Sequence, residues 1–176
     1  MHSKFHAVAL LSTCVALCVG SALAAEEKPT LIDSFRDWHV YSVGAGKDRF
    51  CYALSQPKQM NPANTARESA FFLISTWPGR KVSNEPSVVP GYQYKTGTKV
   101  QVQVGSDKFD LFTKNDGQSG GAWVENPTDE KRLIDAMKRG AEMSVTGTSS
   151  RGVLTRDNYS LSGISAALDK VAATCK

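Results

Sequence analysis

Val100-Gln101-Val102-Gln103-Val104-Gly105-Ser106-Asp107-Lys108-Phe109-Asp110-Leu111 is the stretch that decides the fold class. Three valines alternate with two glutamines; after Gly105-Ser106-Asp107, Phe109 and Leu111 alternate with Lys108 and Asp110. Successive side chains of a strand point to opposite faces, so this alternation puts one row on a core and the other in water. Two such runs around a short turn predict an antiparallel hairpin. Met143 and Val145 repeat the pattern, and residues 153–159 with Leu161 repeat it less cleanly, with Ser150-Arg151-Gly152 turning between them. Further strands are expected near 38–42, 50–54, 88–92 and 122–124. Residues 70–74 are apolar without a break, the pattern of a central strand buried on both faces, with Phe71 and Phe72 in the core. The class is mainly β.

Two segments change to helical spacing. Asn126 suits an N-cap and Pro127 the first helical position; Asp129 and Glu130 favour the positive end of the dipole, Lys138 and Arg139 the negative end before Gly140. Leu133, Ile134 and Met137 give that helix its apolar stripe. A second helix is expected over 163–174, with Ile164, Ala167, Leu168 and Val171 on one face and Cys175 continuing it. Residues 55–68, with Pro57, Pro62 and Asn64, read as a long surface loop, functional or simply mobile; residues 115–121 read as a second loop.

The chain has 176 residues, enough for one domain. Hydrophobic residues make 41% and charged residues 22%, which argues against disorder. The net charge of +4 is spread out, with no basic stripe, which excludes a nucleic-acid partner. Lys4 precedes an apolar run over 7–20 and then Ala22-Leu23-Ala24, the layout of a secretory signal peptide over 1–24 cleaved between Ala24 and Ala25. The run is shorter than a bilayer span, so no transmembrane segment is expected after processing. Residues 25–176 would form a single domain, periplasmic or secreted. That domain keeps Cys51 and Cys175, and an even count in an oxidising compartment favours a disulfide between them over two free thiols.

Catalytic and metal sites are not expected. His39 is the one histidine beyond the leader, and it alternates out of phase with Trp38 and Val40, so it points away from a core. No G-x-S-x-G elbow, P-loop or G-x-G-x-x-G is present, and Gly44-Ala45-Gly46 reads as a hairpin turn. No cofactor is implied. Asn115-Asp116-Gly117 lacks the further carboxylates of a calcium loop. Trp77 beside Pro78-Gly79, or Trp123, would contact a partner or sugar, or else serve as a core or sheet-edge aromatic; Trp77 with Asn64 and Arg67 of the long loop is the candidate binding surface.

The ordered words Phe35-Arg36-Asp37-Trp38-His39-Val40, Phe50-Cys51-Tyr52-Ala53-Leu54-Ser55-Gln56-Pro57-Lys58 and Phe72-Leu73-Ile74-Ser75-Thr76 are followed by Asn84-Glu85-Pro86-Ser87-Val88 and Phe112-Thr113-Lys114-Asn115-Asp116-Gly117. Ala136-Met137-Lys138-Arg139-Gly140, Val145-Thr146-Gly147-Thr148-Ser149 and the run from Ser160 to Leu168 close the series before Cys175. Together they resemble the invasion-associated locus B (IalB) family across the chain beyond its leader. The resemblance implies an immunoglobulin-like antiparallel β-sandwich with added helices, outside the cytoplasm of a Gram-negative bacterium, with a link to host-cell invasion. It brings no catalytic residues. Several relatives carry a cysteine at the position of Tyr41, and its absence here leaves Cys175 as the partner of Cys51. The expected function is non-enzymatic binding of an envelope or host component, with the oligomeric state left open. The rivals are a periplasmic enzyme using a carboxylate pair, marked by a buried pair in a cleft, and a structural or chaperone-like envelope protein, marked by an apolar patch or unpaired strand edge.

Overall fold

A computed structural model describes residues 27–63, 67–117 and 119–176. The expected leader 1–24, the expected cleavage site Ala24–Ala25 and Asn64 lie outside the described residues.

Period-two alternation produces strands β1 (Thr30–Phe35), β2 (Trp38–Val43), β3 (Phe50–Ser55), β4 (Gln59–Asn61), β5 (Phe71–Trp77) and β6 (Val82–Val89). Strands β7 (Val100–Val104), β8 (Asp107–Asp116) and β9 (Ser119–Val124) lead into helix α1 (Pro127–Arg139); β10 (Glu142–Thr148), β11 (Leu154–Ser160) and helix α2 (Ile164–Thr174) follow. The strands form one antiparallel ladder in the order β1-β2-β3-β5-β6-β9-β8-β7-β10-β11-β4. The hairpin that opened the sequence reading is β7–β8, with Val100 opposite Leu111 and Val102 opposite Phe109.

The ladder folds over into two layers. Its narrow joint is between β6 and β9, which share the pairs Ser87–Trp123 and Val88–Ala122. Across the core, Phe72 of β5 meets Tyr159 of β11 edge-on at 6.0 Å and Trp38 of β2 at 6.3 Å. The Trp38 Nε1–H donates to Ser160 O at 3.1 Å, which satisfies the indole inside the core. The sandwich is therefore a single sheet closed over one set of side chains, which also spares it a second pair of open edges.

Helix α1 starts where expected: the Asn126 side chain accepts from the Asp129 N–H at 2.9 Å, and Leu133, Ile134, Ala136 and Met137 are buried. Helix α2 packs on β1, β2, β3 and β5 through Ile164, Ala167, Leu168 and Val171. Its N-cap, Gly163, has φ +98°, and a Cβ there would sit 1.9 Å from the Phe35 carbonyl oxygen, so only glycine lets α2 approach this closely. Cys175 follows on the same face and is bonded to Cys51 of β3, with Cα atoms 5.9 Å apart.

Four expectations change. Residues 70–74 are central in the ladder but alternate between buried and half-buried, because Phe71 and Leu73 face outward among other outer side chains. The strand expected at 88–92 is β6, which ends at Val89: Pro90 has no N–H for a ladder, and Gly91 turns the chain at φ +75°. The long loop contains β4, which pairs with Arg156, Asp157 and Asn158 of β11. Most of 115–121 is strand, with Asp116 opposite Ser119 across a two-residue connection.

Candidate functional site

In β2, β3 and β5, Trp38, Val40, Cys51, Ala53, Phe72 and Ile74 point inward and are buried. The alternate side chains form an outer face, and the register puts Tyr41 opposite Tyr52, Val43 opposite Phe50 and Leu54 opposite Leu73. Four rings on this face make one row. Tyr41 and Tyr52 stack at 5.4 Å, Phe50 and Tyr52 at 5.8 Å, and Phe50 and Trp77 at 5.0 Å, with interplanar angles of 18°, 25° and 29°. The Arg80 guanidinium closes the row 3.6 Å from the Trp77 ring centroid. Each offset ring pair contributes about 0.5–1.5 kcal/mol beyond area burial, so the rings hold one another in place.

Helix α2 lies on the Cys51 side of these strands, so it leaves the row uncovered, and all four rings stay partly open to solvent. Phe50 and Arg80 both pack on the Trp77 ring, which leaves its edges for a partner. The Tyr41 and Tyr52 hydroxyls have no hydrogen-bond partner among the described residues. Burial first, then the neighbouring Tyr41, pushes the Tyr52 phenol above its ordinary pKa, so it remains a neutral donor. Tyr, Trp and Arg with exposed polar tips are the side chains that dominate protein recognition surfaces.

Trp77 and Arg67, paired in the sequence reading, are not brought together. Glu68 N–H donates to Gly91 O, and Phe71 pairs with Val89, so Arg67 lies just ahead of the Phe71 end of β5. Trp77 ends β5, six residues and roughly 20 Å beyond Phe71. The Arg67 guanidinium is buried, with 2% of its side chain exposed, and grips the Asp157 carboxylate, 5% exposed, through both oxygens. It also donates to Pro90 O at 3.3 Å and sits 5.8 Å from the Tyr92 ring. Burial opposes its charge, but the hydrogen bonds and charge of Asp157 outweigh burial and hold its pKa above the ordinary value. This arrangement is an internal ion pair: it lets β11 carry an inward carboxylate between Thr155 and Tyr159.

His39 faces outward, and its Nδ1 lies 2.9 Å from the Ser34 hydroxyl, its cross-strand neighbour. No carboxylate among the described residues bonds the ring, so the pair lacks the acid that orients a triad histidine. The nearest thing to an acid pair is Glu130, whose carboxyl is pushed up by burial and then by Glu85; both are half-exposed, and Glu130 lines an open depression of about 340 Å³ with Ser83 and Asn84. Among the described residues no group of three or more His, Cys, Asp or Glu could hold a metal. Sequence reasoning missed Tyr41, Phe50, Tyr52 and Arg80. Their outward phase was legible, but their union into one row needed the β2–β3–β5 register.

A family model for the Invasion associated locus B (IalB) protein matches residues 38–172. A search of curated proteins returns no match. Among solved structures, the crystal structure of invasion associated protein b from Bartonella henselae superposes with a TM-score of 0.58 at 13% identity, covering 82% of this chain and 98% of that one. That likeness bears on the fold, with its antiparallel layers and two helices. The chain belongs to the invasion associated locus B family.

Proposed function

We propose that this member of the invasion associated locus B family is exported and acts by binding an envelope or host component, without catalysing a reaction, through the aromatic row on β2, β3 and β5. Residues 1–24 would direct export and be removed between Ala24 and Ala25, leaving 25–176 as one domain. One feature supports a non-cytoplasmic setting: the Cys51–Cys175 disulfide suits an oxidising compartment. Among the described residues no helix is long and apolar enough to cross a membrane. The carrying observation is the continuous Tyr41–Tyr52–Phe50–Trp77–Arg80 row, held rigid by its own stacking and left uncovered. A role in host-cell invasion is the finer form of this reading.

The test is retention of the oxidised protein on bacterial envelopes and host-cell membranes, comparing the natural chain with Tyr52→Ala/Trp77→Ala. Retention should fall at least tenfold in the variant while its circular dichroism stays native. Equal retention on both surfaces rules out this face. A chaperone-like role is favoured by the same half-exposed apolar face and by the edge strand β1, whose Leu31 is 53% exposed. Suppressed aggregation of an unfolded client, lost in the same variant, would identify that role.

A further inference from the structure

The second layer carries a different chemistry on its outer face. Register sets Gln59 opposite Asn158, Asn158 opposite Ser144 and Ser144 opposite Gln103, so one line of uncharged polar side chains crosses β4, β11, β10 and β7. The line borders an open depression of about 540 Å³, whose walls include Gln103, Ser144 and Asn158. Small residues keep it concave where Gly105 follows β7 and Gly140-Ala141 follow α1. Glu142 and Arg156 flank the line on either side, and neither they nor the Ser144 hydroxyl has a side-chain partner among the described residues.

The hydrogen-bonding capacity left over is specific. Asn158 donates to the Gln59 amide oxygen at 3.4 Å, and Gln103 donates to Gly105 O at 2.9 Å. The Gln59 amide nitrogen, the Asn158 and Gln103 amide oxygens and the Ser144 hydroxyl remain, a mixed set of donors and acceptors spaced by the strand separation of about 4.8 Å. We propose that this face binds a neutral glycan bearing acetamido and hydroxyl groups, laid across the strands with successive sugar rings over successive strands. Pyranose rings in an extended chain recur at nearly the strand spacing, so each ring meets a new polar side chain. Charge selects a neutral ligand: Arg156 and Glu142 cancel, and Lys108, opposite Gln103, is offset by Asp110 two residues on in β8. An extended peptide fits less well. It would add to the open edge of β4 through main-chain bonds, leaving the side-chain line across β11, β10 and β7 unused, whereas a glycan laid on the face engages that line itself. The site is separate from the aromatic row and does not depend on it.

The test is NMR titration of the oxidised full chain with the β-1,4-linked N-acetylglucosamine tetrasaccharide, following the side-chain amides of Gln59, Gln103 and Asn158. Saturable shifts with Kd of about 1 mM are expected, since no ring stacks on this line. Gln103→Ala/Asn158→Ala should weaken binding at least tenfold with an unchanged melting temperature, and Ser144→Ala should weaken it less. The proposal is overturned by an absence of saturable shifts up to about 10 mM, by unchanged affinity in the variants, or by loss of binding in Trp77→Ala instead, which would move the sugar to the aromatic row. Shifts with a Gly-Ser tetrapeptide and none with the sugar would assign a peptide and overturn it equally.

Discussion

Replacing Arg67 by Met removes the guanidinium and leaves the Asp157 carboxylate, 5% exposed, with no cation to neutralise it. Breaking a buried pair from one side costs about 3–5 kcal/mol, because the remaining charge keeps its full desolvation penalty. Against a net stability of about 5–15 kcal/mol for a domain, that is roughly a fifth or more of the total. Asp157→Asn should cost a similar amount by stranding the guanidinium, whose remaining contacts are Pro90 O and the Tyr92 ring. Arg67→Met/Asp157→Leu removes both charges. It should cost about 1 kcal/mol, the cation–π contact with Tyr92 being the main loss. Urea unfolding followed by tryptophan fluorescence reads all three. With a slope of roughly 2 kcal/mol/M, each single change should lower the midpoint by about 2 M and the double change by about 0.5 M. Singles costing under about 1 kcal/mol, or a double costing the sum of the singles, would refute the pair as an internal electrostatic unit and return Arg67 to the candidate ligand contacts.

Cys51→Ala/Cys175→Ala opens a crosslink spanning 124 residues and should destabilise by about 5 kcal/mol in the chain-entropy account; the same urea assay with and without reductant checks it. Asn126→Ala removes the bond to the Asp129 N–H and should cost about 1 kcal/mol, visible as a small drop in melting temperature. Asp37 is held below the ordinary carboxylate range by Lys58 and then by Ser160. A depressed folded pKa contributes stability above the unfolded value near 4, and that contribution is lost as pH falls through the lower folded pKa. Thermal melts should therefore fall below about pH 4, and less so in Lys58→Gln.

The sequence by itself determined the local periods and what they imply. Val100 to Leu111 announced the hairpin, Asn126 to Gly140 the first helix with its cap, and the spacing from Ile164 to Cys175 the face on which the terminal cysteine lies. These are readable because strand and helix periods are set by each residue's own backbone geometry. A pair of cysteines beyond the expected leader, one of them in phase with a core-facing stripe, carried the disulfide as well. Tertiary structure alone decided which outward residues share a surface. Gln59, Gln103, Ser144 and Asn158 are scattered over a hundred positions, and Arg67 lies 90 residues from Asp157. No local pattern marks such partners, because register between strands distant in sequence is fixed by how the whole core packs, and a slip of one residue would turn every side chain of a strand to the other face.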